Sequence, residues 1–342
     1  MKKYLLPEFG SFYKANLHCH TSLSDGKRTP EELKEEYMAH GYSIIAYTDH
    51  DIMIPHHELT DDKFLALTGY EMEINEPKKA PFDFIKSCHM CFIALDKNED
   101  KQALWHRVHY QYGNAVNNRD KVKFDDSIPD FERHYTAECI TEMMQTGRKK
   151  GFFVTYNHPK WSLENYNEYM NYHGMNAMEI YNHGSASIGY DENNGEVYDD
   201  MLRGGERIYC IAADDNHNGG DKNSRRYDSF GGFVMIKAER LEYNTITDAL
   251  VKGNFYASQG PEIHELYFEY GYIHIKCSSA DRICATYGMR RARAAYDENG
   301  KGITEASFKI EPDTGYVRIM VYDKSGKYAA TNAYFCDELF EG

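Results

Sequence analysis

His18 and His20 stand one residue apart in "NLHCHTSLSDG", and Asp25 follows within the same stretch. Further along come His50 in "YTDHD", Glu71 in "TGYEMEI", His89 in "SCHMCF", His158 in "YNHP", and Asp215 with His217 in "ADDNH". Imidazole nitrogen and carboxylate oxygen are the donors that suit zinc, manganese and iron. A single histidine is most often structural. Six histidines and three carboxylates, most of them at or just after the end of a β-like run, point together to a site for two or three divalent ions.

Such residues need elements that aim them. Seven short apolar runs read as buried strands: 13–20, 43–51, 64–74, 89–96, 151–159, 177–183 and 209–217. Between the first two lies "RTPEELKEEYMAHG", where Thr29 is the N-cap, Glu32 closes a capping box, Pro30 takes the first helical position and Gly41 ends the helix. Strand and helix in alternation predict an α/β fold of parallel strands with helical crossovers, as an open sheet or a barrel. In a parallel barrel the reactive groups gather at the rim where strands end. Most of the nine residues fall at such ends, and His89 sits early in its run. Side chains two apart on a strand share a face, so His18 and His20 converge, as do Asp215 and His217 if the strand continues through Asn216.

The interval 97–150 is too long for one crossover and predicts a helical excursion, with "TAECITEMMQTGRKKG" leading into the next strand. "WSLENYNEYMNYHG" reads as an amphipathic helix that packs Leu163, Tyr166, Tyr169 and Met170 on the sheet. From residue 260 the pattern changes to period-two alternation with turns at Asp313-Thr-Gly315 and Lys324-Ser-Gly326. The expected division is a first domain over 1–259, carrying the excursion, and a small all-β, sandwich-like module over 260–342.

Composition narrows the function classes. With 39 basic and 54 acidic residues the chain carries a formal charge of −15, which repels long nucleic acid. The densest basic cluster, Arg290, Arg291 and Arg293, reads as a solvated face. No apolar run approaches the length of a membrane span, and the start of the chain has no signal-peptide pattern. Eight cysteines without framework spacing suit free thiols, so the expected compartment is the cytoplasm. Cys88 and Cys91 are three apart on a strand and face opposite ways, so they do not chelate one ion; His89 and Cys91 share a face.

"NLHCHTSLSDG", "YTDHD", the glutamate of "TGYE", "NHP" and "ADDNH" resemble the successive motifs of the PHP (polymerase and histidinol phosphatase) family across most of residues 13–237. The resemblance implies a distorted (β/α)7 barrel, in agreement with the seven strands. It implies one ion held by His18, His20, Glu71 and Asp215, with Glu71 bridging to a second on His89 and His158. A third would rest on Asp25, His50 and His217. The C-terminal stretch is similar to the two-domain branch of that family that includes the CehA/McbA-like metallohydrolases.

The chemistry expected of such a centre is hydrolytic, with a metal-bridging hydroxide as nucleophile and a small phosphorylated metabolite, nucleotide or short oligonucleotide as substrate. Attack on an ester, amide or carbamate carbonyl is the alternative, and a non-catalytic metal-binding interaction module is the third reading. His183 and Asp51 are the candidate acids for the leaving group. Lys160, Arg225 and Arg226, just after ligand-bearing strands, are candidate anion contacts. Asp49 is expected to orient its neighbours. A cation aimed at the metals favours phosphate, and an apolar pocket favours a neutral carbonyl.

Overall fold

The computed structural model describes residues 2–78 and 85–341. Seven strands fall where the apolar runs place them: β1 (Ser11–Asn16), β2 (Ile44–Tyr47), β3 (Leu65–Asn75), β4 (Ser87–Ala94), β5 (Phe152–Asn157), β6 (Ala177–Asn182) and β7 (Tyr209–Ala213). They are neighbours in that order within one large mixed sheet. Helix α1 (Pro30–Ala39) joins β1 to β2, and its capping box is complete: Glu32 N–H donates to Thr29 Oγ1 at 3.3 Å and Thr29 N–H donates to Glu32 Oε2 at 2.9 Å.

One expectation is overturned. β4 runs antiparallel to both β3 and β5, whereas the pairs β1–β2, β2–β3, β5–β6 and β6–β7 are parallel. The connection over 76–86 is shorter than the dozen or so residues a parallel crossover takes. Reversal also explains His89: the start of β4 lies at the edge where its two neighbours, β3 and β5, end.

The first and last of the seven strands meet beyond their regular ends. His20 N–H donates to Asn216 O at 3.2 Å and Asp215 N–H to His18 O at 3.0 Å. One apolar cluster draws a residue from every strand, namely Ala15, Ile44, Leu65, Ile93, Phe153, Ala177 and Ile211. Against the outer face of β3–β5 packs α2 (Ala137–Lys149), with Ile140, Met143 and Met144 buried. Gly147 permits that approach, since a Cβ there would lie 2.3 Å from the Phe92 ring. The rest of the excursion is mainly irregular, with a four-residue helix at Ala115–Asn118. The amphipathic helix expected after His158 shrinks to Tyr166–Tyr169, and Leu163 and Tyr166 are exposed.

Two antiparallel strands, β8 (Phe233–Ala238) and β9 (Phe255–Ser258), extend the sheet from β1 and flank α3 (Tyr243–Val251). β9 pairs in turn with Tyr328–Thr331, so the sheet continues into the β-rich C-terminal part. There a second sheet of Ile263–Glu269, Tyr272–Ala280 and Ile303–Lys309 also takes up Lys3–Tyr4 from the start of the chain. Gly315 and Gly326 both adopt positive φ, at the two turns expected from the sequence. Among the described residues no helix is long and apolar enough to cross a membrane.

A buried ion pair fastens the C-terminal strands to the helix before β7. Arg318 Nε and Nη2 donate to the two carboxylate oxygens of Asp199 at 2.8 and 2.7 Å, and Tyr316 OH donates to the same group at 2.9 Å. Arg318→Ala leaves that carboxylate uncompensated and is expected to cost about 3–5 kcal/mol in chemical denaturation. Arg318→Met combined with Asp199→Leu is expected to recover part of the loss.

Candidate metal centre

Glu71 lies on β3 at 1% exposure, with five imidazoles around its carboxylate. His18 Nε2, His89 Nδ1 and His158 Nε2 stand 3.1, 3.3 and 3.5 Å from Oε1. His20 Nε2 and His50 Nδ1 stand 3.3 and 3.2 Å from Oε2. Asp215 Oδ1 lies 3.2 Å from His18 Nε2 and 3.0 Å from His20 Nε2. Toward solvent, Asp25 approaches His217 at 3.3 Å and His50 at 3.7 Å. All nine residues singled out by spacing are thus placed in one cluster.

How the chain brings them there differs in detail from simple strand alternation. β7 ends at Ala213, and Asp215 turns through φ 52°, so Asp215 and His217 do not reach the site as alternate residues of one strand. His158 and Asp51 also have positive φ, at 26° and 56°. Left-handed backbone at non-glycine residues costs energy and persists where surrounding bonds over-determine it. Those bonds are present. Asp49 accepts from Thr21 N–H and Oγ1, both at 2.8 Å, and from Ser24 Oγ at 2.6 Å, which braces the loop ahead of Asp25. Asp214 accepts the backbone N–H groups of Phe230, Gly231 and Gly232.

The electrostatics favour a cationic occupant. Burial pushes the Asp215 carboxyl up, but His18, His20 and His158 outweigh it and hold the group well below the usual range. Burial pulls His158 down, yet Glu71 and Asp215 raise it to about 9. Burial and the neighbouring His20 push His50 well below its ordinary value, in the neutral form a metal requires. Among the described residues His20 Nδ1 is buried without a hydrogen-bond partner, and His50 Nδ1, 3.2 Å from Glu71 Oε2, makes no well-aligned hydrogen bond. Buried imidazole nitrogens without hydrogen bonds, beside clustered carboxylates, fit divalent ions. His18, His20, Glu71 and Asp215 form one group with ligand atoms within 4.8 Å of one another, as do His20, Asp25, His50 and His217, and also His50, Glu71 and His89.

The cluster opens into a cavity of about 440 Å³. Tyr112 from the excursion covers His50 with ring centroids 5.0 Å apart, and Trp161 stands edge-on to His89 and His158 at 5.2 and 5.0 Å. Ile188, Ser185, Gly219 and Arg226 complete much of the wall.

Of the three cations expected near substrate, Arg226 lines this cavity and makes no ion pair among the described residues. Lys160 is turned toward a neighbouring loop, with Nζ donating to Asn193 O at 3.0 Å and pairing with Asp191 at 3.6 Å. Arg225 is exposed and outside the lining. His183 and Asp51 are also outside it. His183 Nδ1 contacts Tyr181 OH at 3.0 Å and its ring packs on Gly231, where a Cβ would come within 2.1 Å. Asp51 is ion-paired with Arg133. Cys91 accepts from Asn157 Nδ2 at 3.1 Å beneath the centre, while Cys88 joins the outer core.

Sequence reasoning passed over Asn157 and Glu179. Asn157 Nδ2 donates to Glu71 Oε1 at 2.9 Å, and Glu179 Oε1 accepts from His18 Nδ1 at 2.7 Å. The signal available for Glu179 was a lone acid in the apolar run "AMEIYNH".

No family model matches this sequence, and no curated protein matches it. Solved structures do show a likeness. The chain is similar to a two-domain protein from Bacteroides vulgatus containing a predicted PHP-like metal-dependent phosphoesterase. The identity is 14%, the match covers 97% of this chain and 90% of that one, and the TM-score is 0.41. A protein from Bifidobacterium adolescentis assigned as a metal-dependent phosphoesterase matches at 16% identity, over 64% of this chain and 91% of its own, with TM-score 0.38. An amidohydrolase from Chromobacterium violaceum, solved with sulfate and without metal, matches at 15% identity, over 60% and 88%, with TM-score 0.40. All three are distant.

The turn that carries His158 and Trp161 is held by Glu164, which accepts from Tyr135, Tyr156 and Tyr172 hydroxyls at 3.0, 2.6 and 2.6 Å. Burial raises its carboxyl to about 7 in spite of these three donors. Between the ordinary value of 4.5 and about 7 the folded state binds this proton more tightly than the unfolded chain, so its contribution to stability falls as pH rises through that window. Glu164→Gln is expected to flatten this limb, as measured by melting temperature against pH.

Proposed function

We propose that this chain is a metal-dependent phosphoesterase acting on a small phosphorylated metabolite, nucleotide or short oligonucleotide. The observation that carries the reading is the convergence of nine imidazoles and carboxylates beside a cavity whose wall holds Arg226, which makes no ion pair among the described residues. His18, His20, Glu71 and Asp215 would hold one ion. His89 and His158, both beside Glu71 Oε1, support a second, and Asp25, His50 and His217 a third. When bound, zinc, manganese or iron ions supply Lewis acidity that activates water and neutralises charge developing on the substrate.

The protein's own groups would orient and enclose the substrate. Arg226 offers a planar set of donors that matches phosphoryl oxygens. Tyr112 and Trp161 wall the ligands from bulk water and strengthen charge interactions inside. Because those walls and Ile188 are apolar, a neutral carboxylic ester also fits, and ester, amide or carbamate hydrolysis is the second reading.

The same reading takes 1–259 as a distorted seven-stranded barrel and 260–342 as an appended β-module. The backbone bonds between the segments after β1 and β7 support closure of the barrel. Eight unpaired cysteine thiols support a reducing, cytoplasmic setting.

The test is hydrolysis of p-nitrophenyl phosphate and p-nitrophenyl acetate by the full chain, with and without chelator. Phosphate release that chelator abolishes and manganese or zinc restores is expected. Arg226→Ala is expected to lower kcat/KM for the phosphate about 10- to 100-fold, from loss of a charged hydrogen bond, and to leave the acetate unchanged. Metal-dependent cleavage of the acetate alone would overturn the phosphoesterase reading in favour of the second.

A further inference from the structure

Beneath the ligand cluster, on β6, lies a carboxylate outside the nine. Glu179 is fully buried, and its two oxygens accept from three donors. His18 Nδ1 donates to Oε1 at 2.7 Å. His158 N–H and Asn182 Nδ2 donate to Oε2 at 3.0 and 2.8 Å. Asn182 Nδ2 also donates to Asp215 Oδ2 at 3.2 Å. One acid therefore touches the ring of His18, the backbone of His158 and, through an amide, the side chain of Asp215.

We infer that Glu179 is the positioning residue of the metal centre, fixing His18 with its proton on Nδ1 so that Nε2 faces the metal. The inference rests on the metal-centre reading above. Its basis is the division of labour on the His18 ring. Nδ1 is taken by Glu179, whereas Nε2 points to the meeting place of Glu71, Asp215 and His20, at 3.1, 3.2 and 3.1 Å. An ionised carboxylate accepts only, so it selects the tautomer that leaves Nε2 with a free lone pair. The neighbouring negative charge also makes that lone pair more basic.

Glu179 has a second effect through the main chain. His158 has φ 26°, a conformation that costs energy, and its N–H is held by the same carboxylate. A side chain that fixes one ligand's tautomer and another ligand's backbone couples two metal positions. A purely structural acid at this place would support folding without affecting which nitrogen of His18 is available.

The test uses the full chain, stripped of metal and titrated with Zn²⁺ or Mn²⁺ in competition with a chromophoric chelator. Melting of the metal-free proteins is followed in parallel. Glu179→Gln keeps the size and removes the charge, and Glu179→Asp keeps the charge but draws it back from His18. Both are expected to weaken the tightest site about 10- to 100-fold, the usual cost of removing such an outer partner. The Co²⁺ absorption spectrum of the substituted form is expected to change as the His18 ring reorients, with metal-free melting shifted far less than metal affinity. Wild-type affinity and an unchanged Co²⁺ spectrum in either folded variant would overturn the positioning role. So would loss of affinity that only tracks loss of metal-free stability. If the wild-type chain itself bound no metal, the metal-centre reading would fail first, a result distinct from a metal-binding wild type with an indifferent Glu179.

Discussion

One buried carboxylate within 3.5 Å of five imidazoles is the constraint on which the site depends. Glu71 can occupy that place because β3 is long, paired on both sides and buried along most of its length. An isolated carboxylate taken out of water loses far more solvation than a protein can spare, so its charge must be matched locally. The histidines supply that match from four different segments, and their convergence fixes the relative heights of the strand ends. Burial of the site and the order of the sheet are two expressions of the same requirement.

Around that hub the protein invests in bracing. Three residues at or beside the cluster, Asp51, His158 and Asp215, hold left-handed backbone conformations. Each is tied down by hydrogen bonds within the same region: Asp51 N–H donates to Glu71 O, His158 N–H to Glu179, and Asp215 N–H to His18 O. The last of these also joins the segments after β1 and β7. Asp49 and Asp214 hold flanking loops by accepting several donors each. Acidic residues therefore divide between those that face the cavity and those that hold the backbone behind it.

Much of this was legible in the sequence, for physical reasons. The seven apolar runs are strands, and the nine imidazoles and carboxylates cluster, because buried strands carry a strong hydrophobic signal and their ends bring distant residues to one rim. The capping box of α1 was equally plain, since its bonds are local. Direction of pairing was less plain: β4 reads like its neighbours, and only the short connection over 76–86 betrays its reversal. Side-chain aim in loops was not legible. Lys160 lies two residues after His158, yet it bonds to Asn193, while Arg226, further from His217, reaches the cavity. Glu179 carries no spacing signature because its partner in the cluster, His18, lies 161 residues earlier in the chain.

These nine groups are proposed to form one multinuclear metal centre. Its most direct test is the metal-to-protein ratio, by elemental analysis of the full chain after exposure to Zn²⁺ or Mn²⁺ and removal of free ion, with His18→Ala and Asp215→Ala alongside. Two to three ions per wild-type chain and a loss of at least one in each variant are expected. A wild-type chain without bound metal, or folded variants that retain the full complement, would contradict it.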